Sequence, residues 1–441
     1  MSSGRCGLVV LAGLLSVLGG PIAHAGSARP SLATRINKLV APLAKADLLS
    51  GVIVLTRRGQ IIFEQAYGFA SRELRVPNTL NSRFGIASIS KPMTEALVSV
   101  LAQQGRLDVD APVEQYLPGF PKGPKGGLPT VKQLLNHEAG VPHRVTSAVD
   151  EMQALQPVDI VARVRSRGLL FEPGSRQLYS SAGFTCLARV VELVEGRPFE
   201  EVLADRIFKP ARMRSATSQT DRRLMSDRAL PYNLVTGDVK TAVAQAPYKD
   251  LRFLTGAGSV FATAEDLLHF IQAVQAGAFG SQLRAWSYRG DAGEWRGWYG
   301  RTNGYEASLD ILPSESVVFV FLSNLRSAAN WQIRQRVQEL LLDRPVTSIP
   351  FPPPRVQDFE PPLAAVGSYG DPADPVEIEM IEGYLVRDGN EFYPIADNLY
   401  YMPVSGSMMR FHRTPEGVID SLVTIWPGGR ETVLPKLTTP G

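Results

Sequence analysis

Ser88-Ile89-Ser90-Lys91 places a hydroxyl and an amine three residues apart, just where an apolar helical pattern begins. One helical turn brings residues i and i+3 onto one face, so the two side chains can share a proton and the serine can act as a nucleophile. That chemistry is serine hydrolysis without histidine. The tetrad alone is weak evidence, because it also describes an ordinary helix start with an N-cap serine and a surface lysine. The elements around it must decide.

Residues 51 to 69 form two apolar, β-prone runs around Arg57-Arg58-Gly59-Gln60, a hairpin pattern, so a sheet is expected to open the mature domain. After Lys91-Pro92, the residues Met93, Leu97, Val100 and Leu101 keep helical spacing as far as Gly105, a C-terminal cap. Further helices are expected at 130–136, 184–195, 263–275 and 330–342, the third opening on Thr263-Ala264-Glu265-Asp266, close to a capping box. Residues 305 to 324 read as two strands around Pro313-Ser314-Glu315-Ser316. Strands at both ends with helices between predict an α+β domain whose sheet is closed by its two termini.

Residues 345 to 362 hold Pro345, Pro350, Pro352, Pro353, Pro354, Pro361 and Pro362, the composition of a semi-rigid linker. Short strands follow, with turns at Asp388-Gly389 and Pro415-Glu416-Gly417 and alternating Val376, Ile378 and Met380. They predict a small all-β barrel or sandwich.

The chain has 441 residues, 44% hydrophobic and 20% charged, enough for a sizeable core and more than one domain. Arg5, the apolar run Gly7 to Leu18 and Ala23-His24-Ala25 read as a signal peptide over 1–25, so the mature chain is expected to begin at Gly26 and to be exported, periplasmic or secreted. The run is shorter than the about 20 residues of a spanning helix, and no membrane anchor is expected after cleavage. Cys6 leaves with the leader, which makes Cys186 the one mature cysteine; among Leu187, Val190 and Val191 it reads as a small buried hydrophobe. A formal net charge of +3 is too small to mark a nucleic-acid partner.

Around Ser88 the chain reads RFGIASISKPMTEALVSVLAQQGRLDVDAPVEQYLP, followed by VKQLLNHEAGVP, FEPGSRQLYSSAGFTCLARVVELVEG, GAGSVFATAEDLLHF and FVFLSN. In this order the segments resemble the serine β-lactamase and penicillin-binding-protein superfamily, in particular its class C-like branch of esterases, D-peptidases and β-lactamases. The resemblance spans most of residues 45 to 325. It implies the β-lactamase/transpeptidase-like fold, an antiparallel sheet flanked by helices with an all-helical region, over 26–344. The segment 363–441 resembles the lipocalin-like modules that follow this domain in several exported members.

By this resemblance Ser88 is the acyl-accepting nucleophile, Lys91 takes its proton, and Tyr179 shuttles a proton with the lysine and protonates the leaving group. Burial and neighbouring positive charge must disfavour the ammonium form of Lys91 for this to work. The oxyanion hole maps to the backbone N–H groups of Ser88 and Arg301. Ser181, Trp298, Tyr299, Gly300 and Arg301 fall on substrate-binding positions.

Two positions depart from the family. Ser181 stands where an asparagine amide is usual, and Trp298-Tyr299-Gly300 replaces Lys-Thr-Gly or His-x-Gly, so Trp298 supplies no cation. Arg301 or Arg296 could take a substrate carboxylate instead. Expected, therefore, is an exported serine hydrolase of esters, amides or D-peptides, poor on β-lactams, needing no metal or cofactor. The alternative is a non-catalytic binding or scaffold protein of the same fold. No G-x-S-x-G elbow or H-E-x-x-H pair is present. His137, in LLNHEAG, reads as structural; His143 is a loop residue that could face the site and is not counted among the site residues.

Overall fold

The computed structural model describes residues 30–218, 224–235, 243–280, 295–356 and 359–437, apart from 373, 382 and 388. The expected signal peptide, with Cys6, lies outside the described residues.

The first described element is a helix, α1 (Leu32–Lys45), not a strand. Ser31 caps it by accepting the Thr34 N–H at 3.2 Å, and Ile36, Leu39, Val40 and Leu43 recur at helical spacing to form one buried stripe. Pro42 interrupts the pattern in the sequence, because an internal proline removes a helix hydrogen bond. The expected hairpin follows as β1 (Gly51–Arg57) and β2 (Gln60–Tyr67).

The helical region holds α2 (Ser90–Gln103), α3 (Val131–Leu135), α4 (Pro157–Arg167), α5 (Ser181–Glu195), α6 (Phe199–Leu203) and α7 (Ala264–Gln275). α4 lies outside the expected set of helices. Its buried face is only Pro157, Ile160, Val161 and Val164, so the charged remainder dilutes the apolar period. At α7 the capping box of Thr263 and Asp266 forms as read.

The sheet is completed by β3 (Arg296–Thr302), β4 (Tyr305–Leu312) and β5 (Val317–Ser323), before α8 (Ala328–Leu341). Its order is β3-β4-β5-β1-β2, and β1 runs antiparallel to β5 from Gly51 opposite Ser323 to Arg57 opposite Val317. The two ends of the domain therefore close one sheet, as expected. Over the central strands both its faces are buried. Val52, Val54, Val320 and Leu322 belong to the core on the α2, α5 and α7 side; Ile53, Leu55, Phe319 and Phe321 pack with α1 and α8. Arg334 of α8 forks onto Asp310 of β4 at 2.8 and 2.7 Å, a fully buried pair that pins the helix to the sheet.

After α8 come the eight strands of an antiparallel meander: β6 (Gly367–Asp371), β7 (Asp374–Ile381), β8 (Tyr384–Arg387), β9 (Asn390–Ala396), β10 (Leu399–Tyr401), β11 (Met408–Arg413), β12 (Ile419–Ile425) and β13 (Glu431–Pro435). Of the Asp388-Gly389 turn between β8 and β9, Asp388 lies outside the described residues. Tyr369 on β6 bridges to Lys436 just past β13, and the Leu437 N–H donates to the Ser368 carbonyl at 2.8 Å, so the sheet curls into a nearly closed barrel. Tyr369, Phe392, Tyr400, Met409 and Phe411 fill its interior.

The barrel rests on the start of α8. The Ala328 N–H donates to the Pro403 carbonyl at 2.8 Å, Arg326 donates to the Asn390 side chain at 3.2 Å, and Tyr393 and Tyr401 pack on Ala328. The proline-rich segment lies against the barrel, where the Tyr393 hydroxyl donates to the Pro353 carbonyl and the Val356 N–H to that of Pro394.

Candidate active site

Ser88 lies in a short 3-10 turn, Ala87–Ile89, that leads into α2. Ala87 has a φ of +48°, in the left-handed region that alanine seldom adopts, so the residue before Ser88 carries backbone strain. Ser88 itself is half-buried. One turn along, Lys91 is only 5% exposed, which removes the reading of a helix cap with a solvated lysine.

Lys91 Nζ lies within hydrogen-bond distance of three acceptors: the Ser88 hydroxyl at 3.2 Å, the Ser181 hydroxyl at 3.3 Å and the Ala257 carbonyl at 2.9 Å. It also sits 4.8 Å from the Tyr179 ring centre and 5.6 Å from that of Phe184, so two aromatic rings flank the amine. The Tyr179 hydroxyl also donates to the Ser88 oxygen, at 2.7 Å. Lys91 and Tyr179 thus meet at the Ser88 hydroxyl, and Ser181 joins the group through Lys91.

Ala257 is a contributor the sequence reading lacked. Its segment, Gly256-Ala257-Gly258, runs so close to α5 that a Cβ on Gly256, at φ +78°, would lie 2.8 Å from Ala188. Two glycines flanking one alanine are the available signal, since they permit such close backbone approach. Thr94 fixes the segment by donating to the Gly256 carbonyl at 2.7 Å.

Gly300 brings β3 against the serine turn. A Cβ there would stand 2.2 Å from the Ile86 carbonyl and 3.0 Å from the Ser88 nitrogen, so this position holds the strand beside the Ser88 N–H only while it lacks a side chain. Trp298, two residues earlier and so on the same strand face, is 7% exposed and belongs to the core beneath the sheet.

Tyr299 and Arg301 lie on the other face. The Tyr299 hydroxyl bonds Glu306, its ring meets Trp331 edge-on at 5.8 Å, and burial followed by Glu306 pushes its pKa up. Arg301 is exposed and stands opposite Glu306, on whose carboxyl it acts. Tyr299 is thus turned away from Ser88. Arg296, exposed and opposite Ile311, shares the face of Trp298.

Two histidines flank Tyr179. Their ring centres stand 4.6 Å (His137) and 5.3 Å (His143) from that of Tyr179. His137 Nδ1 accepts the Ser180 N–H at 2.9 Å; burial first, then the charges of Lys91 and His143, lower its pKa to about 3. It is a neutral structural acceptor, as the LLNHEAG turn led one to expect. Cys186 is fully buried on α5 and burial raises its thiol to about 12, consistent with an inert hydrophobe. Among the described residues no group of three His, Cys, Asp or Glu side chains is placed to hold a metal, and no helix is long and apolar enough to cross a membrane.

A family model described as Beta-lactamase matches residues 36–342. A penicillin-binding protein of Bacillus subtilis is 29% identical over 253 residues, covering 54% of this chain and 55% of its own length. A D-aminopeptidase of Brucella anthropi is 32% identical over 187 residues, covering 41% of this chain and 34% of its own. The chain thus spans about half the length of the first relative and a third of the second. The solved structure of an octameric penicillin-binding protein homologue from Pyrococcus abyssi covers 91% of this chain and 99% of its own, with a TM-score of 0.61 at 19% identity, a likeness of fold.

Proposed function

The chain belongs to the Beta-lactamase family, and from that membership we propose that it is a serine hydrolase working through an acyl-enzyme on small esters, amides or D-amino-acid peptides. The observation that carries the reading is the meeting of Lys91 and Tyr179 on one Ser88 hydroxyl.

In this reading Lys91 reacts as the neutral amine: Ser88 Oγ attacks the substrate carbonyl as its proton passes to Lys91 Nζ, which can return it through Tyr179. The tetrahedral oxyanion is held by the backbone N–H groups of Ser88 and Arg301, which Gly300 keeps in one wall. Tyr179 then protonates the departing alcohol or amine, and water releases the acyl group. Ser181 holds Lys91 through its hydroxyl in place of an amide. Trp298 is buried and Arg301 lies on the opposite strand face beside Glu306, so of the two candidate arginines only Arg296 shares the face that Gly300 turns to Ser88; poor action on β-lactams belongs to the same proposal. Export through a leader over 1–25 belongs to the same proposal, as does the division into a hydrolase domain (26–344), a linker (345–362) and a lipocalin-like barrel (363–441); the mature protein is then expected to begin at Gly26 on N-terminal sequencing.

The test compares wild type with Ser88→Ala against a fluorophosphonate probe, a short p-nitrophenyl ester and a labelled penicillin. Wild type is expected to take the probe and cleave the ester, and the variant to do neither. Equal labelling of the two proteins, or of neither, overturns the reading.

A further inference from the structure

The start of α5 is held by an unusual set of acceptors. The first N–H groups of a helix have no partner within it. Here the Ser180 N–H goes to His137 Nδ1 at 2.9 Å, the Ser181 N–H to His143 Nδ1 at 3.3 Å, the Ala182 N–H to the His143 carbonyl at 3.4 Å, and the Gly183 N–H to the Ser180 hydroxyl at 2.9 Å. Ser180 Oγ in turn donates to the Pro142 carbonyl at 2.8 Å, tying the His143 loop to the same turn. Two imidazoles therefore accept from consecutive amides, and the residue before those amides is Tyr179.

Resting on the hydrolase reading, we propose that His143 is a positioning residue of the acylation site: its neutral imidazole holds Ser181 and Tyr179 in place, and its protonation releases them. The argument is one of donors and charge. A neutral imidazole has one acceptor nitrogen, here Nδ1 facing the Ser181 N–H, while an imidazolium has none. Protonation would set two N–H groups against each other and place a cation at the positive end of the α5 dipole. Both effects fall on the turn carrying Ser181, whose hydroxyl accepts from Lys91, and Tyr179, whose hydroxyl donates to Ser88.

Among the titratable and charged groups near His143 are Tyr179 ahead of α5, His137 after α3, on which both His143 and Lys91 of α2 act, and Arg144, the next residue of its loop. His137, lowered to about 3, stays neutral across mildly acid pH. His143 is half-buried, so of the pair it is the imidazole within reach of solvent.

The rate of fluorophosphonate labelling is measured from about pH 8 to about pH 5.5, across the ordinary histidine range, for wild type, His143→Asn and His143→Phe. Asparagine offers a carbonyl acceptor that does not titrate; phenylalanine offers none. Wild type is expected to lose about tenfold more of its rate on acidification than His143→Asn, and His143→Phe to label slowly at every pH. An asparagine variant with the wild-type pH profile, or a phenylalanine variant labelling at the wild-type rate, overturns the proposal. If wild type fails to label even at pH 8, the hydrolase reading falls separately, and Tm against pH decides the contact: parallel curves for wild type and His143→Asn overturn it, and a steeper acid fall in wild type supports it.

Discussion

The Tyr179 hydroxyl lies 2.7 Å from Ser88 Oγ and donates to it, while Lys91 Nζ reaches the same oxygen at 3.2 Å. Two groups able to move a proton therefore share the one nucleophile, and their contributions can be separated. Tyr179→Phe keeps the ring stacked beside Lys91 and removes only the hydroxyl. Loss of such a proton-transfer group is expected to lower kcat about 10²- to 10⁴-fold with little change in Tm. Steady-state kinetics on a p-nitrophenyl ester checks this; an unchanged kcat would remove Tyr179 from the proton path.

Gly300→Ala tests the wall facing the serine. The added methyl would meet the Ile86 carbonyl at 2.2 Å, so β3 must move away from the Ser88 N–H. If that N–H and its neighbour on β3 hold the oxyanion, kcat is expected to fall about 10²- to 10³-fold, the scale for losing one such donor. Comparing kcat with the far-ultraviolet spectrum separates a displaced donor from a lost fold.

Breaking the Asp310 and Arg334 pair tests what fastens α8 to the sheet. Asp310→Leu leaves a buried guanidinium beside the rings of Tyr299 and Trp331, at an expected cost of about 3–5 kcal/mol in urea unfolding. Combining it with Arg334→Met is expected to recover most of that loss, because two apolar groups leave no stranded charge. Equal destabilisation in the single and double variants would contradict this.

His137 predicts an acid sensitivity of a definite sign. In the folded protein its imidazole stays neutral down to about pH 3, whereas in the unfolded chain it takes a proton below about 6.5. Between those values the unfolded state binds more protons, so stability falls as pH falls, by roughly 1.4 kcal/mol per unit at most. Above about 6.5 the full contribution is present. Urea unfolding at several pH values should show this slope in wild type and a shallower one in His137→Asn.

Much of this arrangement was legible in the sequence. Ser88 and Lys91 are one helical turn apart, and the paired strand patterns at 51–69 and 305–324 fixed which ends of the domain close the sheet. What escaped notice had physical reasons. α1 has a clear apolar period, yet Pro42 sits inside it; α4 has a capping box at Gln156 and Asp159, but its exposed face is mostly charged. The Ala257 carbonyl contacts Lys91 through its backbone, which no side-chain motif records. The orientation of Tyr299 depends on Glu306 and Asn330, a buried cluster formed between separate elements.

The barrel has a consequence for assembly. In an open sheet the outermost strands present unpaired amides and carbonyls on which a foreign strand can template itself. Here β6 and the residues following β13 use those groups on each other, through Tyr369 with Lys436 and Ser368 with Leu437. Where they meet, these eight strands therefore give a stray chain little backbone to pair with, and self-association of this region would have to proceed through side-chain surfaces rather than by extending the sheet.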